Sequence, residues 1–184
     1  MIRMVGAMMD ASERAQQLVG AFEARLNEAR DRAECLPKRP KVFFEEWDDP
    51  LISGIGWVSE LVEIAGGIDI FADRASQGAA KDRVVTTDEV IARAPDLIIG
   101  SWCGKKFRPE RVMVRPGFDR TPAAERRDVY EIKSSLILQP GPAALTHGLR
   151  GASEHHPRVG VCDRPDSAPK SHNRVPVGIT SLTN

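Results

Sequence analysis

The spacing of apolar positions changes several times along the chain, and each change predicts an element. Between Asp10 and Leu36 apolar residues fall at Ala15, Leu18, Val19, Phe22, Leu26, Ala29 and Ala33, which lines one stripe of a long helix. Asp10 and Glu13 stand at capping-box spacing at its start, and Pro37 and Pro40 stop it. Lys41 to Trp47 is a short β-rich run, hence a strand, and Asp48-Asp49-Pro50 turns the chain. Residues 56–65 return to helical spacing, with Trp57, Leu61 and Ile64 on one stripe, and Gly66-Gly67 closes that helix. Ile68 to Phe71 is short and apolar, and Arg74 to Asp82 reads as a polar loop.

Thr86 and Glu89 form a second capping-box pair, so a helix opens there and runs to Pro95. Asp96 to Ser101 (DLIIGS) is a buried type of strand, followed by the loop Trp102-Cys103-Gly104-Lys105-Lys106. Val129 to Ile132 is a third strand, Lys133 to Pro142 a loop, and Ala143 to Leu149 a helix with Pro142 in its first turn. The alternation predicts an α/β fold, a single Rossmann-like lobe with a mostly parallel sheet, preceded by a long helix. The expected parts are a connecting helix over 1–37, the lobe over 38–150 and a disordered tail over 151–184, where periodicity is lost. In such sheets ligands gather at the carboxyl ends of the strands. Three loops stand there: EEWDDP, SWCGKK and KSSLILQPGP.

Composition narrows the function. The 184 residues include 26 basic and 26 acidic ones, so no basic excess points to nucleic acid. No apolar run is long enough to span a bilayer, and the first residues do not read as a signal peptide. Cys35, Cys103 and Cys162 are odd in number and widely spaced, against a disulfide framework or a structural zinc site. Phosphate-binding loops, dinucleotide fingerprints and hydrolase or metalloprotease motifs are absent, which favours binding over catalysis.

The opening strand poses the sharpest question, because FFEEWDD runs from core residues into four carboxylates around a tryptophan. Along a strand Glu45 and Trp47 point one way and Glu46 the other, a poor arrangement for an acid–base pair. A solvated strand end and a ligand rim stay equally open, as does an oxygen-only calcium site. Trp47 and Trp102 are either core anchors or flat walls of a cleft, while Trp57 belongs to the core. Cys103 is either a small residue at a tight turn or a nucleophile without a histidine near in sequence. Lys105 and Lys106 are either solvated or anion-binding.

Three segments carry a family resemblance: KVFFEEWDDPLISGIGWVSELVEIAGGIDIF, RVVTTDEVIARAPDLIIGSWCGKK and EIKSSLILQPGPAALTHGL. Over residues 10–149 the chain resembles the carboxyl-terminal half of periplasmic substrate-binding proteins that feed ABC importers of vitamin B12 and ferric siderophores, nearest the cobalamin-type branch. The resemblance implies two α/β lobes joined by a rigid helix, here Asp10–Leu36, with the ligand between them and the first lobe missing. A shifted reading frame or truncated gene would account for both ends. It implies that Trp47, Asp48 and Asp49, then Arg83, then Trp102, Cys103, Gly104 and Lys105, then Ser135 to Gln139 including Leu138, line the cleft. It implies that Glu89 docks onto an ABC permease. The cargo is a cobalamin or other chelate, with no further cofactor, no metal of the protein's own, no nucleic acid partner and no enzymatic step. The place of work is the periplasm by resemblance, and the cytoplasm if the chain is made as written. The competing readings are a small hydrolase using Cys103 or the carboxylates, and a nonfunctional remnant whose uncovered helix stripe self-associates.

Overall fold

The computed structural model of the protein describes residues 1–154. Helix α1 (Ile2–Met8) and helix α2 (Ser12–Glu34) come first, then strand β1 (Lys41–Asp48), strand β2 (Leu51–Ser53), helix α3 (Gly56–Ile64) and strand β3 (Ile68–Asp69). Helix α4 (Ala72–Ala75), a 3-10 turn over Ala80–Arg83, helix α5 (Thr87–Arg93) and strand β4 (Leu97–Gly100) follow. Helix α6 (Pro109–Met113), helix α7 (Pro122–Arg126), strand β5 (Val129–Glu131) and helix α8 (Ser134–Ile137) lead to a π-helical stretch, Ala144–Gly148, that continues into helix α9 (Leu149–Glu154). The expected α/β lobe with a mostly parallel sheet is present.

The sheet order is β2-β1-β4-β5, and β3 also pairs with β1. Strand β1 is the centre: β4 lies parallel along one edge, while β3 (parallel) and β2 (antiparallel) share the other. Glu45 stands opposite Gly100, and Gly100 opposite Glu131, so β4 and β5 end on the row of Glu45, while β1 runs on to Asp48 beside β2. Strand period two divides the core. Val42, Phe44, Leu97 and Ile99 face α2, α3, α8 and α9, while Phe43 and Ile98 face α5, α6 and α7. Both faces are covered, which is why β4 is apolar throughout rather than alternating.

Several expectations change. Helix α2 starts at Ser12, not Asp10: Asp10 sits at φ 52° in the turn after α1, and no side chain caps the helix at Ala11. Helix α1 folds back on α2, with Gly6 so close to Ala15 that a Cβ there would meet it at 2.3 Å. Of the predicted stripe, Ala15, Phe22 and Ala29 are buried, Leu26 packs partly, and Leu18 is exposed. The stripe is therefore covered only over part of its length. The turn at residues 48–50, whose Asp49–Pro50 peptide is cis, returns as β2, a strand too short for periodicity to show. Residues 74–82 and 133–142 hold short helical turns rather than continuous loops. Most of the predicted tail, residues 155–184, lies outside the described residues.

The capping box at Thr86 forms as expected: Glu89 N–H reaches the Thr86 hydroxyl at 3.2 Å, and Thr86 N–H reaches the Glu89 carboxylate at 2.8 Å. Gly66 closes α3 at φ +89°, a conformation that suits glycine.

Two stability predictions follow from this packing. A Cβ at Gly100 would lie 1.7 Å from the Phe107 ring. Gly100→Ala is expected to cost about 1–3 kcal/mol as overpacking, read from the urea midpoint. Burial also raises the carboxyl of Asp69, which accepts the Phe71 N–H at 3.0 Å, above its ordinary range. A carboxyl raised in the folded state binds its proton more tightly there than in the unfolded chain. Asp69 therefore subtracts stability progressively as pH rises from the unfolded value through the folded one. Asp69→Asn is expected to gain on the parent between pH 4 and pH 8 in paired melting curves; a constant gap would contradict this.

Candidate functional site

The row of Glu45, Gly100 and Glu131, on which β4 and β5 end, is the floor of the site. Glu45 lies on it with a fully buried side chain. A lone carboxylate there would be prohibitively costly, and three donors answer it. Arg115 reaches it with both terminal nitrogens, at 2.5 and 2.7 Å, and the Trp102 indole N–H at 2.8 Å. Burial still pushes the Glu45 carboxyl up, against the downward pull of Arg115 and Trp102. The cluster joins three segments: the end of β1, the loop after β4 and the residues after α6.

Glu46 points the other way, as strand geometry requires, and takes Arg83 at 2.6 and 3.1 Å. Arg83 also donates to the Ser53 carbonyl, and its side chain is only 2% exposed. It ties the 3-10 turn to the β1–β2 hairpin. The expectation that Arg83 faces a ligand is therefore corrected, because its guanidinium is spent inside the lobe. Trp102 is corrected on the same grounds. It is 3% exposed and packs edge-on against Phe107, with ring centroids 4.8 Å apart. It is an anchor under the floor and not an open wall.

Above that floor the groups reach solvent. Trp47 is half-buried, and its indole N–H meets the Asp49 carbonyl at 3.0 Å. Lys105 lies with its Nζ 5.0 Å from the Trp47 ring centre and 5.3 Å from that of Trp102, and bonds Asp48 at 2.6 Å. The Asp48 side chain is itself buried. Cys103 and Gly104 are exposed, with Gly104 at φ +69°, and Cys103 is a free thiol. Of the four carboxylates in FFEEWDD, three are committed to cations of the lobe and Asp49 alone is exposed. Among the described residues no group of three or more His, Cys, Asp or Glu could hold a metal ion, so the calcium reading has no geometry behind it.

The third loop behaves differently. Helix α8 turns back onto the α3 side, with Ile137 fully buried and its carbonyl taking the Trp57 indole N–H at 3.0 Å. Ser135 and Gln139 are exposed, and Leu138 packs partly on the core.

Beside this floor lies an open cavity of about 370 Å³, lined by Asp48, Asp49, Arg111, Val114 and Arg115. The last three were missed by sequence reasoning. The available signal was two like charges close together after Pro109, Arg111 inside α6 and Arg115 just beyond its end, which repel unless something holds them. On α5, Glu89 is bonded to Arg74 as well as to Thr86, and the Thr86 backbone bond leads the effects that hold its carboxyl below the ordinary range. About a third of its side chain remains exposed.

An α/β lobe with helices on both sheet faces, and loops gathered where its parallel strands end, defines a ligand-binding class of fold. Residues 1–136 match the family model described as periplasmic binding protein, and the chain belongs to that family. It is 26% identical over 159 residues to an uncharacterized ABC transporter substrate-binding lipoprotein, YvrC, of Bacillus subtilis (strain 168). That match takes in 83% of this chain and 48% of the relative, so the chain spans about half the length of the curated relative. Among solved structures, a possible iron-binding (periplasmic solute-binding) protein of Staphylococcus epidermidis ATCC 12228 superposes with a TM-score of 0.71 at 21% identity, over 84% of this chain and 59% of that one. The periplasmic heme-binding protein RhuT of Roseiflexus sp. RS-1 gives 0.64 at 24% identity, over 84% and 61%. The periplasmic vitamin B12 binding protein BtuF of Vibrio cholerae gives 0.60 at 20% identity, over 82% and 58%. At these identities the superpositions speak for the fold.

The Glu45 cluster yields a prediction of its own. Glu45→Gln keeps an oxygen for Arg115 but removes the charge that balances a mostly buried guanidinium. The expected loss lies toward the lower end of the roughly 3–5 kcal/mol typical of a broken buried pair. Urea unfolding checks it, and a second change, Arg115→Gln, is expected to restore much of the loss.

Proposed function

We propose that this chain is a ligand-binding lobe of the substrate-binding component of an ABC importer, and that its cargo is a metal chelate built on a flat macrocycle, a corrinoid or a haem. The reading rests on one observation above all. The strand ends of β1 and β4 present a half-buried tryptophan, Trp47, next to an open cavity in which Asp48 and Arg115 are fixed by ion pairs to Lys105 and Glu45. Rigid floors with a flat apolar ring suit a planar ligand, and no proton transfer or nucleophile is needed to hold one. The printed descriptions of two of the structural neighbours, heme-binding and vitamin B12 binding, are of that kind. Trp47, Asp49, Cys103, Gly104 and Lys105 are the loop residues placed to touch such a ring, with Ser135 and Leu138 at the third strand end. The place of work on this reading is the periplasmic side of the membrane; no helix among the described residues is long and apolar enough to cross it. Glu89, ionised and partly exposed, is the acidic contact for a cationic patch on the permease, once it exchanges Arg74 for the partner's charge.

Equilibrium dialysis of the purified chain against cyanocobalamin and against hemin tests the reading. Saturable uptake of one of them is expected. Trp47→Ala should weaken it at least about tenfold, or 1.4 kcal/mol, with the unfolding midpoint retained. A folded chain that takes up neither chelate would overturn the proposal.

A further inference from the structure

Arg111 and Arg115 line the same cavity but differ in what they are committed to. Arg115 spends both terminal nitrogens on Glu45. Arg111 has as its nearest carboxylate oxygen Asp48 Oδ2 at 3.9 Å, outside hydrogen-bond range, and Asp48 is already held by Lys105 at 2.6 Å. The Arg111 side chain is 57% exposed and makes no hydrogen bond among the described residues. Beside it Val114 is 79% exposed, an apolar residue left on the cavity wall. A guanidinium with its donors open, next to apolar surface, is matched by a carboxylate carried on an apolar ring. The fork takes both carboxylate oxygens at once, while the ring covers the apolar wall.

We propose that Arg111 is the specificity-determining residue of this cleft, and that the chelate it selects carries a carboxylate on the edge entering the cavity. The inference rests on the reading of the site as a chelate cleft, and it divides the two cargo types left open there. A haem-type ring bears carboxylates. A corrinoid ring bears amides, whose neutral oxygens bond a guanidinium about half as strongly as a charged acceptor. The charged groups facing the cavity are Arg111, Arg115, Asp48 and Asp49. Arg115 and Asp48 are neutralised by Glu45 and Lys105, which leaves Arg111 to attract the carboxylate and the exposed Asp49 to oppose it.

The test compares hemin with its dimethyl ester, which keeps the ring and iron and loses both charges. Each is titrated against the full chain and against Arg111→Gln and Asp49→Asn, followed by the haem absorbance band, with unfolding midpoints recorded in parallel. The expected result is that the parent binds hemin at least about tenfold more tightly than the ester. Arg111→Gln should erase that difference while leaving ester affinity and the midpoint in place, and Asp49→Asn should tighten hemin alone. Equal affinity for hemin and ester overturns the inference, as does an Arg111→Gln variant that loses affinity for both alike. Uptake of cyanocobalamin without uptake of hemin overturns the inference and leaves the chelate cleft standing. Uptake of neither removes the cleft and the inference with it.

Discussion

A buried carboxylate at the end of the central strand is the constraint around which this lobe is arranged. Glu45 follows two phenylalanines in the buried stretch of the central strand, with none of its side chain in contact with solvent. Such a group is tolerable only if donors surround it, and β1 itself is paired on both edges. The donors are therefore side chains brought from elsewhere. Trp102 arrives from the loop after β4, and Arg115 from beyond α6. Each is then fixed in its turn: Trp102 against Phe107, Phe107 against the bare backbone of Gly100, and Arg115 over the Phe118 ring at 5.3 Å. One polar requirement thus decides where two loops and a short helix lie.

The same logic repeats on the other side of the strand, and its consequence is functional. Glu46 fixes Arg83 and with it the β1–β2 hairpin, and Asp48 fixes Lys105 against Trp47. Most of the charge in FFEEWDD thereby becomes scaffold. The strand ends gain rigidity where charge-assisted bonds pin them, at Glu45, Glu46 and Asp48. They also lose most of their polar groups as ligand contacts. The groups left exposed around the β1 and β4 strand ends are sparse: part of Trp47, the small residues Cys103 and Gly104, Asp49, and the Arg111–Val114 wall.

How far this was legible in the sequence depends on the distance over which each signal acts. The capping box at Thr86, the glycine stop at Gly66 and the apolar run of β4 are local, and each appears where the residues place it. The strand ends were legible too, because a βαβ alternation puts parallel strand ends on one side whatever the details. The partners of the buried charges were not. Glu45 and Arg115 are 70 residues apart, and Glu46 and Arg83 are 37 apart. No periodicity relates them, so Arg83 and Trp102 looked like free cleft residues when they are fasteners. The short helices between residues 107 and 128 gave no pattern long enough to read, and that is where Arg111 and Arg115 lie.

Helix α2 shows the converse error, a strong pattern that the described fold uses only in part. Its stripe satisfies helical periodicity, yet burial is confined to one residue in each two turns: Ala15 against α1, then Phe22 and Ala29. Helix α1 covers the amino-terminal end, but it is itself rich in exposed apolar residues, with Met1, Met4, Val5, Met8 and Met9 all turned to solvent. A pattern of this kind records the sum of every surface a helix has been selected to meet, and periodicity alone cannot assign each position to its partner. The sheet has no such ambiguity, because its residues are enclosed on both faces by elements of the same lobe. Periodicity therefore identifies a core where enclosure is complete, as for β1 and β4, whose neighbours lie on either side, and identifies only a mixture of surfaces on a helix that runs along the margin.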